Sequence, residues 1–187
     1  MTAEEVIDRL KEGNQRFVKS NLNGELQDEK RRIELTGGQK PWAIVLSCAD
    51  SRVVPELAFD TGLGELFVLR VAGNIANTDT IASIEYAVAH LGTGVIVVMG
   101  HESCGAVGAA IAGGDNGYNL NHLLSQIQPA LSQTTSTDVN DVVKKNAELS
   151  ANDLYDRSAI IKGAVDKGQL KIVSAYYNLN GGNVDFL

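Results

Sequence analysis

Trp42-Ala43-Ile44-Val45-Leu46-Ser47-Cys48-Ala49-Asp50-Ser51-Arg52 runs from an unbroken apolar segment directly into a cysteine and a pair of opposite charges. A short, fully apolar run predicts a strand buried on both faces. Residues 66–71, 95–100 and 170–177 repeat the pattern. Between them, residues 55–59, 78–90, 105–112 and several segments between 119 and 167 read as helices. Strands alternating with helices give an α/β fold built on a mainly parallel sheet flanked by helices.

At the start of the chain, Thr2 and Glu5 have the spacing of a capping box. Val6, Leu10 and Phe17 then share one face, so residues 3–19 are predicted to form an amphipathic helix. A polar stretch, residues 21–29, leads to a short basic helix over residues 30–35 that stops near Gly37-Gly38. The first 40 residues thus read as an N-terminal helical arm. At the other end, Asn180-Gly181-Gly182 is a turn signal, and Val184-Asp185-Phe186 is expected to fold back as an antiparallel edge strand. Residues 133–138 are rich in Ser and Thr and read as a loop rather than a linker, so residues 1–187 form one domain.

Cys48 closes the first strand, and His101 and Cys104 follow the strand at 95–100. Ligands of open parallel sheets collect at the carboxyl ends of the strands. Two thiolates and one imidazole suit zinc, whose catalytic sites take three protein ligands and leave a fourth position for water. The chain has 2 cysteines, and both lie in these motifs. A disulfide is the competing reading; it leaves the His101-x-x-Cys104 spacing unexplained, and a chain of 187 residues needs no staple. Cys104 would open a helix, where free backbone N–H groups favour the thiolate. Zinc-bound water ionises near pH 7, so hydration or hydrolysis by hydroxide follows. Asp50, paired with Arg52, would stay ionised and orient that water; unpaired, it would take the fourth zinc position and close the site.

The composition narrows the classes. A net charge of −7 and the lack of a dense Lys/Arg run beyond Lys30-Arg31-Arg32 argue against a nucleic-acid partner. Apolar stretches such as residues 42–46 and 95–99 are too short to span a bilayer, so no membrane association is expected. Met1-Thr2-Ala3-Glu4-Glu5 lacks the basic start and apolar run of a secretory signal, which favours a cytoplasmic location with reduced thiols; a chain trimmed of its signal would look the same. His90 and His122 have no ligand-like neighbours and read as helix-end or surface residues.

Ser47-Cys48-Ala49-Asp50-Ser51-Arg52 and Gly100-His101-Glu102-Ser103-Cys104-Gly105 resemble the motifs of the β-class carbonic anhydrases. Gly38-Gln39-Lys40-Pro41, the stretch from Gly64 to Arg70, Ile84-Glu85-Tyr86-Ala87 and the tail from Tyr176 to Val184 are similar to further segments of that family, in its order. The resemblance implies Zn2+ held by Cys48, His101 and Cys104, with Asp50 and Arg52 catalytic, and reversible hydration of carbon dioxide to bicarbonate. It implies substrate contacts from Gln39, Phe67, Tyr86 and the Gly105 N–H, with Ala72 on the pocket wall. A homodimer or tetramer is implied too, with the site at a dimer interface and the arm of residues 1–40 on a partner subunit. A regulated branch of the family carries tryptophan three residues before the first cysteine; Val45 stands there, so the readily active branch is expected. Arg70-Val71-Ala72-Gly73-Asn74 departs from the family's usual Arg-Asn-x-Ala-Asn. Two alternatives remain: a carbonyl sulfide or carbon disulfide hydrolase on the same scaffold, and a non-catalytic zinc protein closed by Asp50.

Overall fold

In the computed structural model, which describes residues 1–136 and 138–187, the chain runs α1 (Ala3–Val18), α2 (Glu29–Glu34), β1 (Ala43–Ser47), α3 (Pro55–Ala58), β2 (Leu66–Arg70), α4 (Thr78–Tyr86), β3 (Val95–His101), α5 (Gly105–Ala112), α6 (Tyr118–Ser125), α7 (Gln128–Gln133), α8 (Val139–Arg157), α9 (Ala159–Asp166), β4 (Lys171–Tyr177) and β5 (Val184–Phe186). Of the stretch 133–138 read as a loop, Thr137 lies outside the described residues. The sheet order is β2-β1-β3-β4-β5, parallel except for the antiparallel β4–β5 pair. The chain leaves β1 for β2 on one side and then crosses to β3 on the other. The crevice between the carboxyl ends of β1 and β3 is therefore the topological switch point, where α/β sheets open a site.

Burial follows the residue pattern. Every residue of β1 and of β3 is buried, as their unbroken apolar runs require. On one face Val45, Val97 and Met99 pack with Val6 and Leu10 of α1 and with Phe59. On the other, Ile44, Leu46, Ile96 and Val98 pack with Ile84, Leu154 and Ile161 from α4, α8 and α9. A third cluster at the carboxyl end of the sheet joins Cys48 and Cys104 to Val107, Ile127, Val142, Val143 and Tyr176. Gly100 permits the close approach of α8 to β3: a Cβ there would lie 2.6 Å from Val143 Cγ1.

Two details depart from the sequence reading. Apolar β2 is only half-buried, because it is the sheet edge and has a neighbour on one side alone. The helix over 78–90 ends as α4 at Tyr86 and continues as a wider π turn over Ala87–Leu91 before left-handed Gly92. The first helix does carry its capping box, with the Glu5 N–H donating to Thr2 Oγ1 and the Thr2 N–H to Glu5 Oε2. Its apolar stripe is buried within its own chain. Buried Asn14 of α1 donates to the carbonyls of Ala58 and Gly182 and accepts from the Val184 N–H, tying α1 to α3 and to β5. α2, by contrast, buries none of its residues.

Candidate metal centre

Cys48 follows the last residue of β1, His101 ends β3, and Cys104 is the residue that caps α5. The switch point therefore gathers side chains 53 residues apart in sequence onto one spot. One donor atom from each of the three lies within 4.8 Å of the others, and all three residues are buried. The sulfurs stand 4.0 Å apart, and both cysteines are free. Two thiolates each about 2.3 Å from one tetrahedral ion would be about 3.8 Å apart, so the spacing is that of shared ligation rather than of a disulfide.

His101 supplies the most telling atom. Its Nδ1 lies 2.9 Å from the Glu102 carbonyl oxygen, which can only accept, so Nδ1 carries the proton and Nε2 presents its lone pair. That Nε2 is fully buried and, among the described residues, has no hydrogen-bond partner. A buried orphan acceptor facing two sulfurs is costly unless a ligand completes it. The donor set thus fits zinc: soft thiolates and a neutral imidazole with its tautomer fixed from behind.

The electrostatics agree. The two thiols share a hydrogen bond, and that bond holds Cys48 well below the usual thiol range and pushes Cys104 up. The backbone N–H groups of Val107 and Ala106, in the first turn of α5, oppose the rise at Cys104. The Gly73 N–H donates to Cys48 Sγ at 3.4 Å.

Asp50 is fixed beside this cluster. The hydrogen bonds of the Arg52 side chain hold its carboxyl well below the usual carboxylate range, against its partial burial. Its Oδ2 is 3.8 Å from His101 Nε2. Arg70, at the end of β2, donates through Nε to the Cys48 carbonyl at 3.0 Å and through Nη2 to the Asp50 carbonyl at 2.6 Å. Ser103, between His101 and Cys104, adopts φ +53° and donates its N–H to Asn140 Oδ1 at 2.9 Å. Glu102 accepts from the Leu179 and Asn180 N–H groups, pinning the loop after β4.

Of the residues singled out in the sequence, the fold brings Cys48, Asp50, Arg52, His101 and Cys104 together. Gly105 opens α5 beside them, and Ala72 precedes Gly73 in the turn that meets Cys48. Gln39, Phe67 and Tyr86 are not in this group. Gln39 lies before β1 in an open depression of about 510 Å3, with Arg32, Leu35, Thr36, Gly38, Leu63 and Gly64. Because β1 has 5 residues, it alone puts about 16 Å between that end and the cysteines. Phe67 sits mid-β2 opposite Ile44. Tyr86 is half-exposed at the end of α4, its ring 5.1 Å from that of His90. A larger cavity, about 860 Å3, opens at the amino end of the sheet among Thr2, Lys40, Trp42 and Lys171, remote from the cysteines. The donor set, not cavity size, marks the site.

Sequence reading missed Arg70, Asn140 and Asn146 as supporting residues. Asn146 had a signal: it occupies the buried stripe of α8 with Val142, Val143, Ala147, Ser150 and Leu154, where an amide has no place without a partner.

Residues 43–184 match the family described as carbonic anhydrase. The chain is 37% identical over 180 residues to carbonic anhydrase 2 of Mycobacterium tuberculosis, covering 92% of this chain and 87% of that protein. It is 36% identical over 183 residues to a carbonic anhydrase of Mycolicibacterium smegmatis, covering 94% and 89% respectively. In structure it superposes with TM-score 0.76 on one of the tetrameric β-carbonic anhydrases of Sordaria macrospora, at 27% identity over 83% of this chain and 85% of that one.

Proposed function

Because the chain belongs to the β-class carbonic anhydrases, we propose that it hydrates carbon dioxide reversibly to bicarbonate and a proton, with zinc held by Cys48, His101 and Cys104. The observation that carries the reading is the convergence of two sulfurs, 4.0 Å apart, with the unpartnered Nε2 of His101. Zinc in a three-ligand site supplies Lewis acidity and brings the ionisation of water down to about pH 7.

The chain's own residues do the rest. Asp50, ionised, accepts a hydrogen bond from the reacting water and so orients the water oxygen toward the carbon of the substrate. Arg52 keeps that carboxylate charged and turned away from the metal. The Glu102 carbonyl holds the His101 ring in the tautomer that binds. Arg70 anchors the backbone on either side of Ala49, so that Cys48 and Asp50 keep their relative positions. Excess protons pass to buffer.

With Asp50 held by Arg52 and Val45 in the tryptophan position of the regulated branch, the reading is of a readily active enzyme. We assign the chain to a homodimer or a tetramer, in which Gln39, Phe67 and Tyr86 of the partner subunit face the metal centre. The distance between Gln39 and the cysteines within one chain supports this, as does the exposure of the segment that carries it. We place the enzyme in the cytoplasm, where its two thiols stay reduced. Among the described residues no helix is long and apolar enough to cross a membrane.

Stopped-flow hydration of carbon dioxide by zinc-quantified protein at about pH 8, with Cys48→Ala beside it, tests the assignment. Zinc-dependent turnover lost in the variant is expected. One zinc per chain without turnover would overturn the reading, and release of sulfide from carbonyl sulfide or carbon disulfide would then be measured.

A further inference from the structure

The residues Val71 to Asn74 form a tight turn between β2 and α4, closed by the Asn74 N–H donating to the Val71 carbonyl at 2.9 Å. Gly73 is its pivot, at φ +72° and ψ 15°. A side chain is excluded there twice over: the backbone is left-handed, and a Cβ would lie 2.8 Å from Ile127 Cδ1 and 3.4 Å from Ala106 Cβ. Both hydrogen-bonding groups of this buried glycine are committed. Its N–H donates to Cys48 Sγ at 3.4 Å, and its carbonyl accepts from Asn146 Nδ2 at 2.8 Å. Asn146 is 2% exposed, in the middle of α8, and reaches across 73 residues of sequence to make this bond.

We propose that Asn146 is a positioning residue for the metal centre, holding the Gly73 turn so that its amide donates to the Cys48 sulfur. The assignment rests on the zinc reading of the Cys48, His101 and Cys104 cluster. An N–H bonded to a metal thiolate withdraws charge from sulfur, so its direction tunes both affinity and electronic structure. The turn has no side chain with which to set that direction, and α8 supplies it. An amide in an apolar stripe costs desolvation, which a bond to a backbone group beside the ligand offsets. The neighbouring Asn74 Nδ2 is buried and makes no hydrogen bond among the described residues.

Asn146→Leu keeps the volume and removes the donor; Asn146→Ala removes both. Zinc affinity is read by chelator competition, and the thiolate-to-metal charge-transfer band is read after loading with cobalt(II). In both variants zinc affinity is expected to fall by about 10–100-fold. The charge-transfer band is expected to move to lower energy, because a sulfur freed of its N–H partner gives up charge more readily. A loss of packing alone would lower the melting temperature without moving the band. Wild-type affinity and an unmoved band in folded Asn146→Leu would overturn the proposal; so would failure of both variants to fold, which would make Asn146 a residue of the core alone. If wild-type protein showed no thiolate band, the zinc reading itself would fail, which separates the two outcomes.

Discussion

Arg52 meets Asp50 edge-on: Nε lies 2.9 Å from Oδ1, Nη2 lies 2.7 Å from Oδ2, and the Arg52 backbone N–H reaches Oδ1 at 2.9 Å. Three donors on one carboxylate hold it in place while its Oδ2 stands 3.8 Å from His101 Nε2. Removing the guanidinium leaves one backbone bond and a charge beside the residues that would hold the metal. Arg52→Ala is therefore expected to keep its zinc and to lose on the order of 10–100-fold in turnover, as Asp50 swings onto the metal. Metal analysis and stopped-flow rates on the same preparation check this; full activity in the zinc-loaded variant would refute the role given to Arg52.

Ser103 separates His101 from Cys104 and is held at φ +53° by its N–H bond to Asn140. A β-branched residue resists that conformation, whereas glycine adopts it freely. Ser103→Gly is expected to bind zinc as wild type does and to unfold within about 1 kcal/mol of it. Ser103→Val is expected to lose about 1–3 kcal/mol and to release zinc more readily, since the strain falls between two ligands. Urea melts of the zinc-loaded variants with a chelator titration decide it, and equal behaviour of the two would rule out the strain.

Much of this was legible in the sequence, and the reasons are local. Unbroken apolar runs marked β1 and β3 because their residues are buried on both faces. The cysteine closing one run and the histidine ending another marked the site, because a parallel sheet opens at its carboxyl ends. Local pattern says nothing about which strand lies at the edge, so the half-burial of β2 was misread. Nor does it show which distant side chain satisfies a backbone group: Asn146 on Gly73 and Asn140 on Ser103 are fixed by the packing of α8 across β3. Gln39 and Tyr86 carried no chemical signal of their own, and within one chain Gln39 sits at the opposite end of β1 from Cys48.

The Arg16–Asp60 pair fastens the end of α1 to the loop after α3, with Asp60 nearly buried and Arg16 partly so. Burial pushes the Asp60 carboxyl up, but the Arg16 hydrogen bond and the N–H groups of Asn23 and Gly24 outweigh it and hold the group below its usual value. A carboxyl depressed in the folded state stabilises above its unfolded pKa, about 3.9, and that stability is lost as pH falls through the folded value. The melting temperature of Asp60→Asn should therefore lie below wild type at neutral pH, and the gap should narrow below about pH 4. A gap that stays constant to about pH 3 would show that Asp60 does not titrate in this way. Asparagine also tolerates the φ of +47° at this position, so backbone strain does not confuse the comparison.

A partner subunit that completes the site makes a sharper demand than oligomerisation alone. Gln39 lies at the amino end of β1 and Cys48 at its carboxyl end, so if both serve one reaction they must come from two chains. Consider a hybrid dimer of one wild-type subunit and one carrying Gln39→Ala with Cys48→Ala. The variant subunit has no zinc, and the wild-type subunit, which has zinc, faces the partner that lacks the glutamine. If the site is shared, both centres are crippled and the tagged, purified hybrid has little of the wild-type rate. If each chain works alone, the wild-type subunit is intact and the hybrid keeps half. A second hybrid, pairing a Gln39→Ala subunit with a Cys48→Ala subunit, reverses the demand: sharing confines both defects to one centre and leaves the other whole, whereas independence damages both. Rates measured on both hybrids separate the two arrangements by opposite rankings, which a general loss of stability cannot reproduce.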